Sequence, residues 1–239
     1  MSRIRRALVG MALIAVAVSP ARLLAANFAE ASNPSSSEVG IVSSDHEGRR
    51  ELDLANYYLQ QAELADNDAG RRANYELAEQ HSARAVALIP SNADAHFVHF
   101  ASAGRLAQMK GLATATLKLM SLNAELDEVL RLDPDHANAL AARGGMLVKL
   151  PRLLGGDAAK GVALLERAVS LDASAIGKRL ELSEAYHIVG RDEDARRVAD
   201  EALAMAKERK DESKVVLCQK FITELEGSCR GCALAAVGR

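Results

Sequence analysis

Three cysteines lie close together near the end of the chain, and their thiols are its most reactive side chains. Cys218, Cys229 and Cys232 all fall within the last 22 residues, and the last two form the motif Cys-Arg-Gly-Cys. In an oxidising compartment such cysteines form disulfides, here either within the motif or from Cys218 to the tail. A redox-active pair, a zinc site with an outside ligand, and a bond to another chain are the alternatives.

The other polar residues form no pattern typical of an enzyme or a metalloprotein. His96 and His99 are three residues apart on a predicted helix, but no carboxylate or cysteine at matching spacing completes a metal site. No Gly-x-Ser-x-Gly turn offers a nucleophile, and no glycine-rich loop after a strand could hold a phosphate. We therefore expect a non-enzymatic protein without a cofactor or a metal.

The N-terminus has the pattern of an export signal. A basic segment, MSRIRR, precedes a twelve-residue apolar run, ALVGMALIAVAV, and small residues follow. This pattern predicts a signal peptide over residues 1–26 and a periplasmic or secreted protein, exported by the Sec or the twin-arginine route. Because twelve apolar residues are too few to span a bilayer comfortably, no stable membrane insertion is expected after cleavage.

The composition favours a globular helical chain. Apolar residues make up 49% and charged residues 26%, and Trp is absent. Without residues 1–26, 26 basic residues stand against 32 acidic ones and no basic cluster remains, which argues against nucleic acid as a partner. The Ser-rich residues 27–50 lack helical periodicity and are predicted to be a flexible leader.

Related phrases recur where predicted helices end. They are AVALIPSN at Pro90, VLRLDPDH at Pro134 and AVSLDASA at Ala173, spaced by 44 and 39 residues. Each follows a run with apolar or small residues three and four apart, as in an amphipathic helix. A period of this length predicts an all-α array of helix pairs.

The last unit resembles a tetratricopeptide repeat. The positions that match the family are Leu182, Ser183, Tyr186, Gly190, Ala195, Ala199 and Ala202. Gly144 and Gly161 hold corresponding small positions one unit earlier, and weaker matches begin at LANYY and FVHFASAG. The resemblance covers about residues 51–207 and implies a tetratricopeptide-like helical-repeat solenoid of about four helix pairs, each of a helix A and a helix B. An amphipathic helix within residues 208–226 is predicted to cap the array, before a Cys-containing tail at residues 227–239.

Extra residues enter between helix A and helix B in three of the four units. The separation between the large position on A and the small position on B is nine residues from Tyr186 to Ala195, but 14 from Leu147 to Gly161. Insertions on one edge of an array often mark its working face. The alternative is that two of them only lengthen helices, as the periodicity of residues 112–130 suggests.

The insertion in the third unit is an apolar turn. Its residues Leu150, Pro151, Leu153 and Leu154 precede Gly-Gly-Asp, which offers backbone freedom and a helix cap. A solvated turn would be polar, so the leucines need another explanation. Either they fold back over helix ends to close the core, or the turn is an apolar contact site for a ligand or a partner.

Two further resemblances bear on function. LPRLLGGDAAKGVALLERAVSLD is similar to the turn and helix of the periplasmic T component of TRAP transporters. HFVHFASAGRLAQ through LDEVLRLDPDHANALAARGGML resembles bacterial relatives of the regulator of microtubule dynamics family. Similarity to the T component implies the handling of small organic solutes beside a binding protein.

The tetratricopeptide resemblance also implies a concave groove. The helix A residues that it places there are Leu52, Asn56, Leu59, Val98, Ser102, Arg105, Ala141, Val148, Lys149, Glu184 and His187. This mixture suits an extended peptide held partly through Asn56 and Arg105, or a modest organic ligand; the alternative is that several pack inside the protein. The sequence thus predicts a scaffold for a protein or peptide partner in the cell envelope, with small-solute binding or a transporter-accessory role as the alternative.

Overall fold

The computed structural model describes residues 36–237, and it describes side chains over residues 44–227. Within residues 36–237 the chain forms nine α-helices and no strand, so the predicted all-α class is confirmed. The helices are α1 (Ser36–Leu64), α2 (Asp68–Leu88), α3 (Ala93–Met109), α4 (Leu112–Leu132), α5 (Ala137–Lys149), α6 (Ala158–Leu171), α7 (Ile176–Ile188), α8 (Asp192–Glu208) and α9 (Glu212–Val237). A single turn of 3₁₀ helix, Arg152–Leu154, lies between α5 and α6.

The described residues divide into two compact units. The N-terminal unit, residues 36–136, contains α1 to α4, and the C-terminal unit, residues 137–237, contains α5 to α9. Within each unit every helix packs on the next one along the chain. In addition α1 contacts α3, α5 contacts α7, and α7 contacts α9. Contact with both the next helix and the one after it is typical of stacked helix pairs.

Two glycines bring α5 and α6 into backbone contact. A Cβ atom on Gly144 would lie 2.8 Å from the carbonyl oxygen of Gly161, and one on Gly161 would lie 2.7 Å from the carbonyl oxygen of Gly144. Neither position has room for a side chain. The buried side chains of Val148 and Leu165 lie beside this crossing. The two small positions inferred from the sequence are therefore the point of closest approach between the helices.

The next pair, α7 and α8, crosses at Ser183 and Ala195, which are both fully buried. The Ser183 hydroxyl donates a hydrogen bond of 2.6 Å to the carbonyl oxygen of Ala195. Beside this crossing the hydroxyl of Tyr186 donates to Oε1 of Glu166 on α6 at 2.7 Å. Burial and this bond raise the pKa of Tyr186 to about 12, so the phenol remains a donor at neutral pH.

The core of the N-terminal unit lies between α1, α2 and α3. Ala55, Leu59, Tyr75, Ala78 and Val98 belong to one buried cluster there. Ala55, which lies in the weak match that begins at LANYY, and Ala78 on α2 are both completely buried. Helices α1 and α2 therefore form a pair as well, with alanines buried between them where α5 and α6 have glycines.

Helix α1 begins inside the predicted leader. The leader was expected over residues 27–50, but the chain is helical from Ser36. Gly48 explains part of this difference, because a Cβ atom there would lie only 2.7 Å from Cγ2 of Ile89 at the end of α2. That contact joins residues about 40 positions apart, so local periodicity carries no sign of it.

Helix α9 covers α7 and α8 and is longer than the predicted cap. It continues as one helix through residues 227–237, which were expected to form a tail. Of the apolar residues of α9, Leu225 is buried and Leu217 and Phe221 are partly buried. Val216 is instead 63% exposed, and its neighbour Cys218 takes the core position.

The glycine contact between α5 and α6 predicts a difference between two adjacent substitutions. Gly144→Ala should lower the free energy of unfolding by about 1–3 kcal/mol, because the new methyl group overlaps the backbone at Gly161. Gly145→Ala is the matched control, since a Cβ there meets nothing within 4 Å. It should stabilise α5 by up to about 1 kcal/mol through helix propensity. Urea unfolding of both variants measures the difference, and equal midpoints would contradict the close approach.

Candidate functional site

The turn between α5 and α6 is held by backbone hydrogen bonds. The amide of Leu154 donates to the carbonyl oxygen of Pro151 at 2.8 Å, and that of Asp157 donates to Leu147 at 2.9 Å. The Asp157 carboxylate then accepts from the amide of Lys160 at 3.1 Å and caps α6. The predicted cap is confirmed, and the turn has one defined shape.

Two glycines make this shape possible. Gly155 has a φ of 87°, in the left-handed region where a side chain is strained. A Cβ atom on Gly156 would lie 1.8 Å from the carbonyl oxygen of Leu150, which no other residue could tolerate. The Gly-Gly pair is therefore required by the path of the chain and is not a sign of a loose loop.

The leucines of this turn project outward. Leu153 is 95% exposed and Leu154 is 52% exposed. Pro151 is exposed as well, and only Leu150 is half-buried. The expectation that the leucines close the core is therefore wrong for Leu153 and Leu154. The alternative, an apolar contact site for a ligand or a partner, stays a prediction.

A second apolar turn lies at the same end of the C-terminal unit. Nζ of Lys149, the last residue of α5, is 2.7 Å from Oε2 of Glu184, near the end of α7. This ion pair links the end of α5 to α7, about one turn before α7 ends. We name the exposed apolar residues of these two turns the turn edge: Leu153, Leu154, Ile188 and Val189.

The N-terminal unit also exposes apolar residues, at the start of α4. Leu117 and Met120 are 84% and 85% exposed, one helical turn apart on one face. The insertion between α3 and α4 has lengthened α4, as the alternative interpretation of the sequence proposed. Sequence reasoning missed this patch, although residues 112–122 carry more leucine and methionine than one helix face can bury.

The structure buries about half of the residues predicted to line a groove. The buried members are Leu59, Val98, Ser102, Ala141 and Val148. These five pack inside their own units and are not accessible to a partner, which corrects their placement on a groove surface. Burial follows because the face of helix A that was expected to be open also contacts the neighbouring helices.

The remaining groove residues are half-buried, and the charged ones have partners. They are Leu52, Asn56, Arg105, Lys149, Glu184 and His187. Arg105 lies 3.7 Å from Glu63, Lys149 pairs with Glu184, and His187 lies 2.6 Å from Asp192. These contacts link neighbouring helices, and they engage Arg105, one of the two residues that were expected to hold a peptide. A groove lined by these six residues alone stays a prediction.

The histidines link helices through hydrogen bonds. His96 uses both ring nitrogens, at 2.9 Å from the carbonyl oxygen of Pro90 and 2.8 Å from Oε2 of Glu125, and His99 lies 3.2 Å from the hydroxyl of Ser82. Three further histidines pair with carboxylates: His81 with Glu51, His136 with Asp94 and His187 with Asp192. Among the described residues no group of three or more His, Cys, Asp or Glu side chains could hold a metal ion.

Cys218 is a free, fully buried thiol that packs against Ile176 and Leu180 of α7 and Ala202 of α8. Burial raises the pKa of this thiol, which disfavours the reactive thiolate. A disulfide to Cys229 would have to span eleven residues of a continuous helix, about 16 Å of rise. The side chains of Cys229 and Cys232 lie outside the described residues, so a bond between those two stays a prediction.

The outer face of α8 carries a broad charged depression of about 830 Å³. Its six charged residues lie between Asp192 and Glu201. Four are carboxylates and two are arginines, which pair along the helix, Arg196 with Asp200 and Arg197 with Glu201, both at 2.9 Å. A surface of exposed, mutually paired charges is typical of a solvated helix face. Within the described part of the chain, no helix is long and apolar enough to cross a membrane.

The burial of Cys218 predicts that its thiol reacts slowly with a disulfide reagent in the native protein. In a Cys229→Ser/Cys232→Ser variant, Cys218 should react with a chromogenic disulfide reagent at least about tenfold more slowly than in denaturant, because the thiol is buried and its pKa is raised. Measuring thiol release at neutral pH with and without urea tests this. Equal rates in the two conditions would show that the thiol is accessible.

The pair between His136 and Asp94 predicts a pH dependence of stability. The hydrogen bond from His136, at 3.1 Å, lowers the pKa of Asp94 below its ordinary value. The bond therefore stabilises the fold above about pH 4 and is lost as the pH falls through the pKa of Asp94 in the folded state. Because Asp94 is 73% exposed, the effect should stay within about 1 kcal/mol.

Urea unfolding of the wild type and of Asp94→Asn, at neutral pH and at about pH 3, measures this dependence. The stability difference should be largest at neutral pH and should shrink in acid. Asp53→Asn, at an exposed position on α1, is the control. A difference that grows in acid would contradict the pairing.

Two comparisons with known sequences give no match. Protein-family models give no match to this sequence. A search of the curated proteins finds no similar sequence either.

Proposed function

We propose that this chain is an exported, non-enzymatic helical-repeat scaffold of the tetratricopeptide type that binds a protein or peptide partner in the bacterial cell envelope. Three features support the repeat assignment. Helices pack in consecutive pairs, the C-terminal pairs cross at small residues, and each unit has contacts between a helix and the second one after it. Export rests on the signal pattern in residues 1–26.

The exposure of Leu153 carries the binding part of this proposal. A leucine that is 95% exposed on a flexible loop would mean little, but this one is held outward by hydrogen bonds and by the required Gly156. Burying such a side chain against a partner contributes about 1.5–3 kcal/mol. The fixed turn lowers the entropy cost of binding, because no loop has to become ordered.

The exposed leucines also favour a macromolecular partner over a small solute. A binding site for an organic solute encloses most of the ligand within a concave, largely apolar pocket. Leu153 and Leu154 lie on the outside of their turn, where a broad partner surface could cover them. The experiment below must therefore distinguish binding of a protein or peptide from a solute-handling role like that of the TRAP transporter T component.

The test is native mass spectrometry of the mature protein, isolated gently from its own periplasm without reductant. The wild type should retain a protein or peptide of defined mass, and Leu153→Asp should lose it, with affinity weakened at least about tenfold. Thermal unfolding should not change, because Leu153 makes almost no contact within the chain. Val216→Asp, an exposed position on α9, is the matched control and should keep the partner.

Other outcomes would overturn the proposal. A small organic molecule as the only added mass would support solute handling instead. Loss of the thermal transition in Leu153→Asp would show that the leucine is part of the core.

A further inference from the structure

The outer face of α4 carries a stripe of exposed, uncharged side chains, which we name the α4 stripe. The inner face of α4 packs on α3, and its buried residues are Leu122, Leu126 and Val129. Because residues three and four apart share a face of a helix, the side chains opposite this inner face form one continuous line. The exposed members of the line are Ala113, Thr116, Leu117, Met120, Ser121 and Ala124.

The α4 stripe can be covered without leaving a polar group unpaired. The hydroxyl of Thr116 donates to the carbonyl oxygen of Leu112, and that of Ser121 donates to Lys118, both at 2.9 Å. Covering a polar group costs free energy when the group has no partner, and these two hydroxyls already have theirs. Lys118 is the only charged residue between positions 112 and 124, and its Nζ lies 3.5 Å from Oε1 of Glu79 on α2. The stripe therefore has the properties of a packing surface.

The order of side chains along the α4 stripe is nearly the same in both directions. Leu117 and Met120 form its centre and are 84% and 85% exposed, a hydroxyl residue flanks each of them, and an alanine stands at either end. The two alanines and the two large residues are separated by four, three and four positions, the spacing with which one helix packs along another. Alanine at the ends allows close approach of a second helix.

A stripe with this symmetry is complementary to itself. In an antiparallel second copy, Leu117 lies opposite Met120 of the other chain, and Ala113 lies opposite Ala124. Each contact then occurs twice about a two-fold axis, as in the interfaces of most homodimers. An unrelated partner requires no such relation between the two halves of the stripe, so the pattern favours a second copy of this chain.

The charges beyond the two ends of the α4 stripe fit the same arrangement. The first turn of α4 has no acidic residue and no side-chain cap, so its amide groups keep their partial positive charge, and Lys110 lies exposed just before it. Beyond the other end Asp127 is exposed, while Glu128 and Arg131 pair with each other at 2.6 Å. The antiparallel arrangement brings Asp127 of one copy beside the positive start of α4 in the other.

We propose that the protein forms a dimer in which α4 packs antiparallel against α4 of a second copy. A single pair of helices buries less than the about 1,200–2,000 Å² of a typical stable interface, so the dimer is reversible and forms in the micromolar range. The α4 stripe belongs to the N-terminal unit and the turn edge to the C-terminal unit. This inference therefore does not rest on the proposed function.

Sedimentation equilibrium of the mature protein measures the association, with reductant present so that no disulfide joins two chains. Between about 1 and 200 μM the mass should rise from that of one chain toward that of two. Leu117→Glu/Met120→Glu should weaken association at least about tenfold, because four carboxylates would meet at the centre of the contact. Thermal unfolding of this variant should not change, since both side chains are almost fully exposed.

Leu64→Glu/Val216→Glu is the matched control. It changes the net charge by the same amount, at exposed apolar positions on α1 and α9, and should dimerise like the wild type.

Engineered cysteines determine the orientation of the two helices. In the Cys229→Ser/Cys232→Ser background, a mixture of the Ala113→Cys and Ala124→Cys proteins should form a disulfide-linked dimer on mild oxidation. Neither protein should do so alone, because the two copies of position 113 in the antiparallel arrangement are about 16 Å apart along the helix, beyond the reach of a disulfide.

Three outcomes would overturn the inference. The first is a protein that remains monomeric over the whole concentration range. The second is a Leu117→Glu/Met120→Glu variant that dimerises as readily as the wild type, since the contact would then lie elsewhere. The third is cross-linking of Ala113→Cys with itself but not with Ala124→Cys, which would exclude the antiparallel arrangement.

Discussion

Direct contact between helix backbones at Gly144 and Gly161 is the constraint on which the C-terminal unit depends. Because the carbonyl oxygens there leave no room for a Cβ atom, only glycine at these two positions permits α5 and α6 to approach so closely. The crossing determines how far the chain must travel from Lys149 to Ala158. Gly156 has to pass against the carbonyl oxygen of Leu150 to complete that path. The outward position of Leu153 is thus a consequence of packing inside the helix pair.

The N-terminal unit joins its helices more through polar groups. The hydroxyls of Ser82 on α2 and Ser102 on α3 lie 3.1 Å apart and are fully buried. Ser102 also donates to the carbonyl oxygen of Val98 at 2.8 Å, so the pair is satisfied without water. Buried hydrogen bonds of this kind permit one relative position of two helices, because a shift would leave polar atoms unpaired. Both units reach close helix packing through small residues, with glycines at the crossing of α5 and α6 and buried serines between α2 and α3.

The residues inserted between the paired helices form different structures in the two units. Between α3 and α4 they become additional turns of α4, and the exposed Leu117 and Met120 lie on that extension. Between α5 and α6 they form a compact turn that leaves Leu153 in solvent. In each unit, apolar side chains are exposed where the first helix of a pair leads into the second. This distribution differs from the concave groove that the family resemblance implied, whose candidate residues Leu59 and Val98 are part of the core.

The sequence by itself determined the helices, their pairing and the residues at their crossings. Periodic small and apolar residues report locally which face of a helix is packed, and the resemblance to the tetratricopeptide pattern implied the small positions Gly144, Ser183 and Ala195. Only the tertiary structure decided which apolar faces are covered. Cys218 is buried while Val216 is exposed, although both lie on an apolar stretch of α9. The physical reason is that burial depends on helices distant in sequence, whereas periodicity records only the helix to which a residue belongs.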